Sequence, residues 1–551
     1  MDEFTKLLES TGFTGELKAD DATLEFYSHD ASLFELKPRL VVFPKSASDV
    51  AKLVAATNQL KSKTPGLSLT ARSGGTCMSG GAINESVIID FNKHFTKLEK
   101  VSEFAARVQP GVFYRDFEKA SLKKGGLLPS FPASREIATV GGMVANNSGG
   151  EKSLQFGKTE NYVSQLEVVL ADGKPYTLKP LERRELVGKM GQKNFEGEVY
   201  RKMIKLLEDN YEVIKAAKPH VSKNSTGYNL WDVWNREAGV FDLTKLFVGS
   251  QGTLGLVTDI HFHLIHDKPH SGVLVCFMKN MDGLGELINT VVAQKPASFE
   301  SFDNYTLELS FKFFFSFHKA LGWRRLIKLG FQLLPDLFLL LRGIPKLILL
   351  IEFTGDTPEE VAARVHEMKL LLKPYKLEAT EEDSTESKAF KFRIMRRESF
   401  NLLRSKVHDK HTAPFIDDLV VPPPHLPEFL PKLQKIIKKY KLLATVAGHM
   451  GDGNFHVIPL MKIEDPKERA KLRPAMEEVN NLVLSYGGSL SGEHNDGMIR
   501  GPWLPKMYGK KVFGLMRETK QIFDPDDIFN PHKKTDASWD FSMSHIRENF
   551  D

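Results

Sequence analysis

Cysteine is almost absent: Cys77 and Cys276 are the only two in 551 residues, and neither sits in a motif. Disulfide scaffolds and cysteine-held clusters are thereby excluded, and a reducing compartment is expected. Charge of one sign is also lacking. The net charge is +5, yet residues 311–346 carry seven cations against the single acid Asp336, so the rest of the chain sums to about −1. A generally basic nucleic-acid binder would not look like this. No G-x-x-x-x-G-K-[ST] loop occurs, and no G-x-G-x-x-G follows a strand, so the usual nucleotide fingerprints are missing. The start, Met1-Asp2-Glu3-Phe4, is acidic and has no apolar core segment, so no secretory signal is expected.

What remains is ordinary globular composition, 41% hydrophobic and 26% charged, in a chain long enough for two or three domains. Residues 1–37 read as a mainly helical lead-in. Short strands follow at 39–44, 67–72 and 87–90, with an amphipathic helix over 48–57 between the first two. The second strand runs straight into Ser73-Gly74-Gly75-Thr76-Cys77-Met78-Ser79-Gly80-Gly81. Bare consecutive amides of that kind make an anion-binding nest. A second glycine-rich region spans 132–150, and a third spans 246–257. Glycines gathered where strands end imply close approach by a ligand or another backbone. Three such segments in one domain predict a large phosphate-bearing cofactor lying across it.

The other chemical signal is Gly448-His449-Met450-Gly451-Asp452-Gly453-Asn454-Phe455-His456, flanked by apolar runs. It predicts a hairpin turning on Asp452-Gly453, with His449 and His456 directly opposed and close enough to grip one metal ion. Gly492-Glu493-His494 adds a carboxylate and a further imidazole. A His, His, Glu set with an open position is a known catalytic metal arrangement, most often for zinc, with manganese or iron as alternatives. His494 is then free to act as a base. On these residues alone a zinc hydrolase and a non-catalytic binding protein remain open.

Arg72-Ser73-Gly74-Gly75-Thr76-Cys77, Thr139-Val140-Gly141-Gly142 with Asn146 and Gly149, and Gly252-Thr253-Leu254-Gly255 together resemble the FAD domain of the vanillyl-alcohol oxidase superfamily. The stretch 448–456, Gly492-Glu493-His494 and Phe523-Asp524-Pro525 with Asn530-Pro531 are similar to its D-2-hydroxyacid dehydrogenase branch. The resemblance implies an α+β fold: a two-part FAD-binding domain over 38–265, then a ferredoxin-like antiparallel cap over 266–500. A C-terminal segment, 501–551, would return to the FAD domain. It assigns to FAD Arg72, Ser73, Gly74, Gly75, Thr76, Cys77, Ser79, Gly80, Pro132, Ser134, Thr139, Gly141, Gly142, Asn146, Gly149, Gly252, Val257 and Asn530. Thr76 stands where family members with covalent FAD often have histidine, so non-covalent FAD is implied.

The chemistry implied is oxidation of a 2-hydroxy acid to the 2-oxo acid. A metal on His449, His456 and Glu493 would hold the substrate, His494 would take the hydroxyl proton, and FAD would accept the hydride. Arg397 matches the family arginine for the substrate carboxylate, with Arg396 and Arg393 as competitors. Ile416 occupies the position where D-2-hydroxyglutarate dehydrogenases carry a lysine for the distal carboxylate, which points to a monocarboxylate such as D-lactate. D-2-hydroxyglutarate and glycolate are the alternatives. Residues 311–346 are explained by no part of the resemblance. Their aromatics, leucines and cations suit a helix lying at a membrane surface, while Pro335, Pro345 and the charges exclude a spanning helix. A membrane quinone is then the expected electron acceptor, with a soluble carrier second, and the protein is expected on the cytoplasmic face of the membrane.

Overall fold

The computed structural model describes residues 1–303, 345–375, 377–382 and 410–548. The first sheet holds β1 (Glu16–Lys18), β2 (Leu40–Phe43), β3 (Leu69–Arg72) and β4 (Val87–Asp90) in the order β1-β2-β4-β3. β2 and β3 both pair parallel to β4. All four residues of β2 and of β4 are buried, which is why both read as unbroken apolar runs. The helix Ala47–Lys61 starts one residue before the expected span and runs four past it, with Ser46 as its cap accepting from the Asp49 N–H. Residues 1–37 are not a separate helical lead-in. They do carry two helices, but β1 pairs with β2, and Phe4 and Leu8 join the core beneath the sheet.

The second sheet contains β5 (Leu98–Glu99), β6 (Ala105–Val108), β7 (Val163–Val169), β8 (Pro175–Leu178) and β9 (Leu256–His263), in the order β5-β6-β9-β7-β8. The helical segment Leu504–Phe523 packs Val512, Leu515, Met516 and Phe523 into the core of this sheet. Asn530 then bonds the Thr70 hydroxyl and the carbonyls of Gly81 and Gln251, which ties the C-terminal segment to the glycine-rich loops.

The cap is one antiparallel sheet. Its strands are β10 (His270–Met278), β11 (Ser298–Asp303), β12 (Leu347–Gly355), β13 (Glu378–Glu382), β14 (His411–Thr412), β15 (Leu419–Val420), β16 (Leu443–His449) and β17 (Asn454–Met461). The order is β13-β10-β12-β11-β16-β17-β14, with β15 also pairing β17. The first four strands, with helices Leu284–Ala293 and Pro358–Leu371, form the ferredoxin-like βαββαβ unit. The strands β16 and β17 extend it from the edge strand β11, so a residue of β11 lies beside the histidine hairpin.

That hairpin differs from the expected one. Its connection is four residues, Met450 to Gly453, with a 3₁₀ turn and Gly453 left-handed at φ +65°. His449 therefore pairs with Asn454, and His456 pairs with Ala447. The two histidines are diagonal neighbours offset by two positions, which keeps them on one face, with ring centroids 5.3 Å apart. A Cβ on Gly453 would stand 1.9 Å from the Val421 carbonyl oxygen. Gly453→Ala is expected to cost more than the ~1–2 kcal/mol of an ordinary left-handed residue. Thermal unfolding and metal content, both reduced together, would show that the turn sets the site.

Candidate active site

Three imidazoles converge on one carboxylate oxygen. Glu493 Oε1 lies 3.4 Å from His449 Nε2, 3.3 Å from His456 Nε2 and 4.0 Å from His494 Nε2. The far nitrogen of each ring is held by an acid. His449 Nδ1 meets Glu300 Oε1 at 2.7 Å, and Asp417 takes His456 Nδ1 at 3.2 Å and His494 Nδ1 at 2.6 Å, one oxygen each. The rings of His456 and His494 stack at 5.0 Å. Asp417 also lies close enough to these two rings to count as a ligand group with them, but its oxygens are already taken by their Nδ1 atoms.

The fit of a metal follows from these partners. With each Nδ1–H given to a carboxylate, neutral rings aim their Nε2 lone pairs at the lone pairs of Glu493 Oε1. Acceptors facing acceptors in a buried pocket suit a cation, or protons, between them. His449, His456 and Glu493 offer ligand atoms all within 4.8 Å of one another, a spacing one ion can bridge. Without an ion the pocket takes protons instead. Burial would depress His456, but Asp417 and Glu493 outweigh it and push its pKa up to about 10. Burial would also depress His494, but Asp417 and Asp418 outweigh it and raise its pKa. Burial resists ionisation of Glu493, yet Lys223 and His449 hold its carboxyl well below the usual range.

The local backbone explains why these groups meet. Asp418, itself left-handed at φ +65°, accepts from the amides of Glu493 and His494, the Ser491 hydroxyl and the Asn454 side chain. One buried carboxylate thereby fastens the 491–494 loop to the hairpin. Lys223, 1% exposed, ion-pairs with Glu493 Oε2 and Asp452 Oδ2, both at 3.2 Å.

Beside this centre runs a groove between the glycine-rich loops. Its lining includes Arg72 through Cys77, Thr139, Gly141, Gly142, Asn146, Gly252 and Val257, together with Gln251, which was not expected there. The amides of Gly75, Thr76 and Cys77 meet no acceptor among the described residues, as a nest for an anion requires. Gly75 has φ +65°, and a Cβ on Gly141 would strike Pro110 at 2.5 Å. These features fit the phosphate-bearing part of FAD. Ser79, Gly80, Pro132, Ser134, Gly149 and Asn530 do not line the groove. Ser79 lies beneath it and donates to the His494 carbonyl, Gly80 packs on Phe34 and Met498, and Asn530 braces the loops as described. Gly149 instead faces the histidine cluster: a Cβ there would be 3.2 Å from Glu493 Oε2.

Arg393, Arg396 and Arg397, and almost all of 311–346, lie outside the described residues. Four functional residues were missed by sequence reasoning: Glu300, Asp417, Asp418 and Lys223. Asp417-Asp418 did carry a signal, since two acids inside the apolar run 415–421 are costly unless partnered. Lys223 carried none.

Comparison with known proteins bears on the FAD domain and the fold. A family model described as "FAD binding domain" matches residues 38–179, and one described as "FAD linked oxidases, C-terminal domain" matches residues 268–534. A D-2-hydroxyglutarate dehydrogenase of Pseudomonas putida is 30% identical over 96% of this chain and 51% of its own length. The chain thus spans about half the length of the D-2-hydroxyglutarate dehydrogenases it matches. A D-lactate dehydrogenase of Archaeoglobus fulgidus is 26% identical, covering 90% of each chain. Among solved structures, a 4-ethylphenol oxidase from Gulosibacter chungangensis shares the fold, with TM-score 0.67, 16% identity and 98% of each chain covered.

Proposed function

The chain belongs to the FAD-linked oxidases of the vanillyl-alcohol oxidase superfamily, in the D-2-hydroxyacid dehydrogenase branch, and from that premise we propose that it oxidises a D-2-hydroxy acid to the 2-oxo acid with the help of a divalent ion. The observation that carries this reading is the convergence of three imidazole Nε2 atoms on Glu493 Oε1 next to the groove. His449, His456 and Glu493 would hold the ion, zinc being the first choice, and the groove would hold FAD without a covalent link.

When bound, FAD supplies a two-electron acceptor and the ion supplies a Lewis acid for the substrate oxygens. The chain's own part is to hold the reactants and move a proton. His494 Nε2 is the most outlying of the three and takes the hydroxyl proton. Asp417 keeps the proton on Nδ1, so the acceptor nitrogen faces the substrate, and it stabilises the imidazolium that forms. The branched contacts of Asp417 and Asp418 hold this ring while its charge changes. His494→Ala is expected to lower kcat by about 10²–10⁴ while metal content stays at the wild-type level. Steady-state assays paired with elemental analysis check both halves. Equal turnover in the variant would remove His494 from the mechanism.

For the substrate, Ile416 supports a monocarboxylate such as D-lactate, because the side chain just before Asp417 is apolar and buried in the cap core. D-2-hydroxyglutarate is the second reading, favoured by the more similar relative. A screen of D-lactate, D-2-hydroxyglutarate and glycolate with an artificial electron acceptor decides between them; L-enantiomers should be inert. Turnover of none of these acids would defeat the reading. Arg397 is proposed for the substrate carboxylate, since a guanidinium pairs with it through two bonds.

The acceptor we propose is a membrane quinone, reached by docking of residues 311–346 on lipid. No helix among the described residues is long and apolar enough to cross a membrane. Each Lys or Arg near an anionic surface contributes about 1 kcal/mol, so co-sedimentation with anionic vesicles at low salt is expected, with release as salt rises. Absence of binding at low salt would favour a soluble carrier.

A further inference from the structure

The metal centre and the flavin groove are joined by a short set of buried contacts, and Lys223 is at their crossing. Its ammonium donates to Glu493 Oε2 and the Gly150 carbonyl and ion-pairs with Asp452 Oδ2, each at 3.2 Å. Glu493 belongs to the proposed ligand set, Asp452 to the turn between the two histidine strands, and Gly150 to the segment that continues from groove-lining Asn146. A second link runs through Asn495, two residues past Glu493. Its side chain donates to the Asn146 carbonyl at 3.2 Å and the Gly249 carbonyl at 2.9 Å, and Gly497 N–H donates to groove-lining Gln251. Gln251 in turn bonds Asn146. Glu493 Oε2 packs so tightly on Gly149 that a methyl group there would be 3.2 Å away.

We infer that Lys223 is a positioning residue that couples the two sites, so that a divalent ion on His449, His456 and Glu493 tightens FAD binding, and FAD tightens the ion in return. This rests on the function proposed above. The physical route is competition for one ammonium. An ion on Glu493 Oε1 shares that carboxylate's charge and weakens its hold on Lys223. The proton directed at Gly150 then bonds its carbonyl more strongly and orders the segment that leads back to groove-lining Asn146. By linkage the same factor must act in both directions.

The test uses the whole wild-type protein and measures the FAD dissociation constant by flavin fluorescence, with saturating zinc and after chelation. The expected result is weaker FAD binding after chelation by a factor in the usual coupling range of about 5–150. Zinc titration with and without FAD should give the same factor. In Lys223→Met, with its folding checked by thermal unfolding, the FAD constant should no longer depend on zinc. An unchanged FAD constant in zinc-binding wild type would overturn the coupling while leaving the proposed function intact. A coupling that persists in Lys223→Met would overturn the role of Lys223. A wild type that takes up no zinc, manganese or iron would instead defeat the metal-assisted reading on which the inference stands.

Discussion

Asp417→Asn is expected to cost more activity than loss of any other residue that touches neither substrate nor cofactor. Partners that orient a metal ligand typically contribute 10–100-fold each. Asp417 serves two rings, one a proposed ligand and one the proposed base, through separate oxygens. An asparagine offers one oxygen and one NH₂, so at most one ring keeps its partner, and the other must flip its tautomer or lose the contact. The expected fall in kcat is therefore about 10²–10⁴, from two such effects combined. Metal affinity should drop as well, because His456 is one of the affected rings. Glu300→Gln, at the acid that holds His449 Nδ1, provides the internal comparison: it should weaken the metal and leave proton transfer intact. A small and equal effect of both variants would contradict the division of labour between the acids.

The second large effect concerns stability. Lys534 and Asp496 are both fully buried and paired at 2.7 Å; the same Asp496 oxygen takes the Gly227 amide, and Lys534 also donates to Asn495. The pair pins the C-terminal return segment to the loop that carries Glu493 and His494. Removing one partner of a buried pair leaves an uncompensated charge and costs about 3–5 kcal/mol. Lys534→Met is expected to lose that much in denaturant unfolding, whereas loss of a surface pair such as Lys205–Asp209 should matter little. Equal, small losses at the two places would mean that the C-terminal segment does not brace the site.

The sequence makes the chemistry more legible than the geometry. The glycine loops are readable because a cofactor's close approach limits the side chains that can stand there. His449, His456 and Glu493 are readable because few other uses account for two histidines across a hairpin and a carboxylate among small residues. The hairpin register was misread because Asp-Gly favours a two-residue turn, whereas Gly453 serves as the left-handed end of a longer one, packed against Val421. The face was right only because an offset of two preserves it. Glu300, Lys223 and Asp418 act across 73 to 270 positions of sequence, through Gly150, His449 and Glu493. Their roles depend on β11 joining the hairpin and on the 491–497 loop reaching residues 146–150 and 249–251, and no local pattern reports either. The lead-in strand β1 was missed for a related reason: three residues are too short to show a period, and pairing with β2 decides their structure.

The most direct measurement of the central claim is an anaerobic titration of the purified, metal-loaded protein with D-2-hydroxy acids, followed through the visible absorption of the flavin. The account predicts a yellow protein whose absorption is bleached by a D-acid and not by its L-enantiomer. Bleaching should be lost after chelation and regained when the divalent ion is returned. A colourless protein reconstitutable with no flavin, or bleaching that proceeds unchanged once the ion is gone, would contradict it.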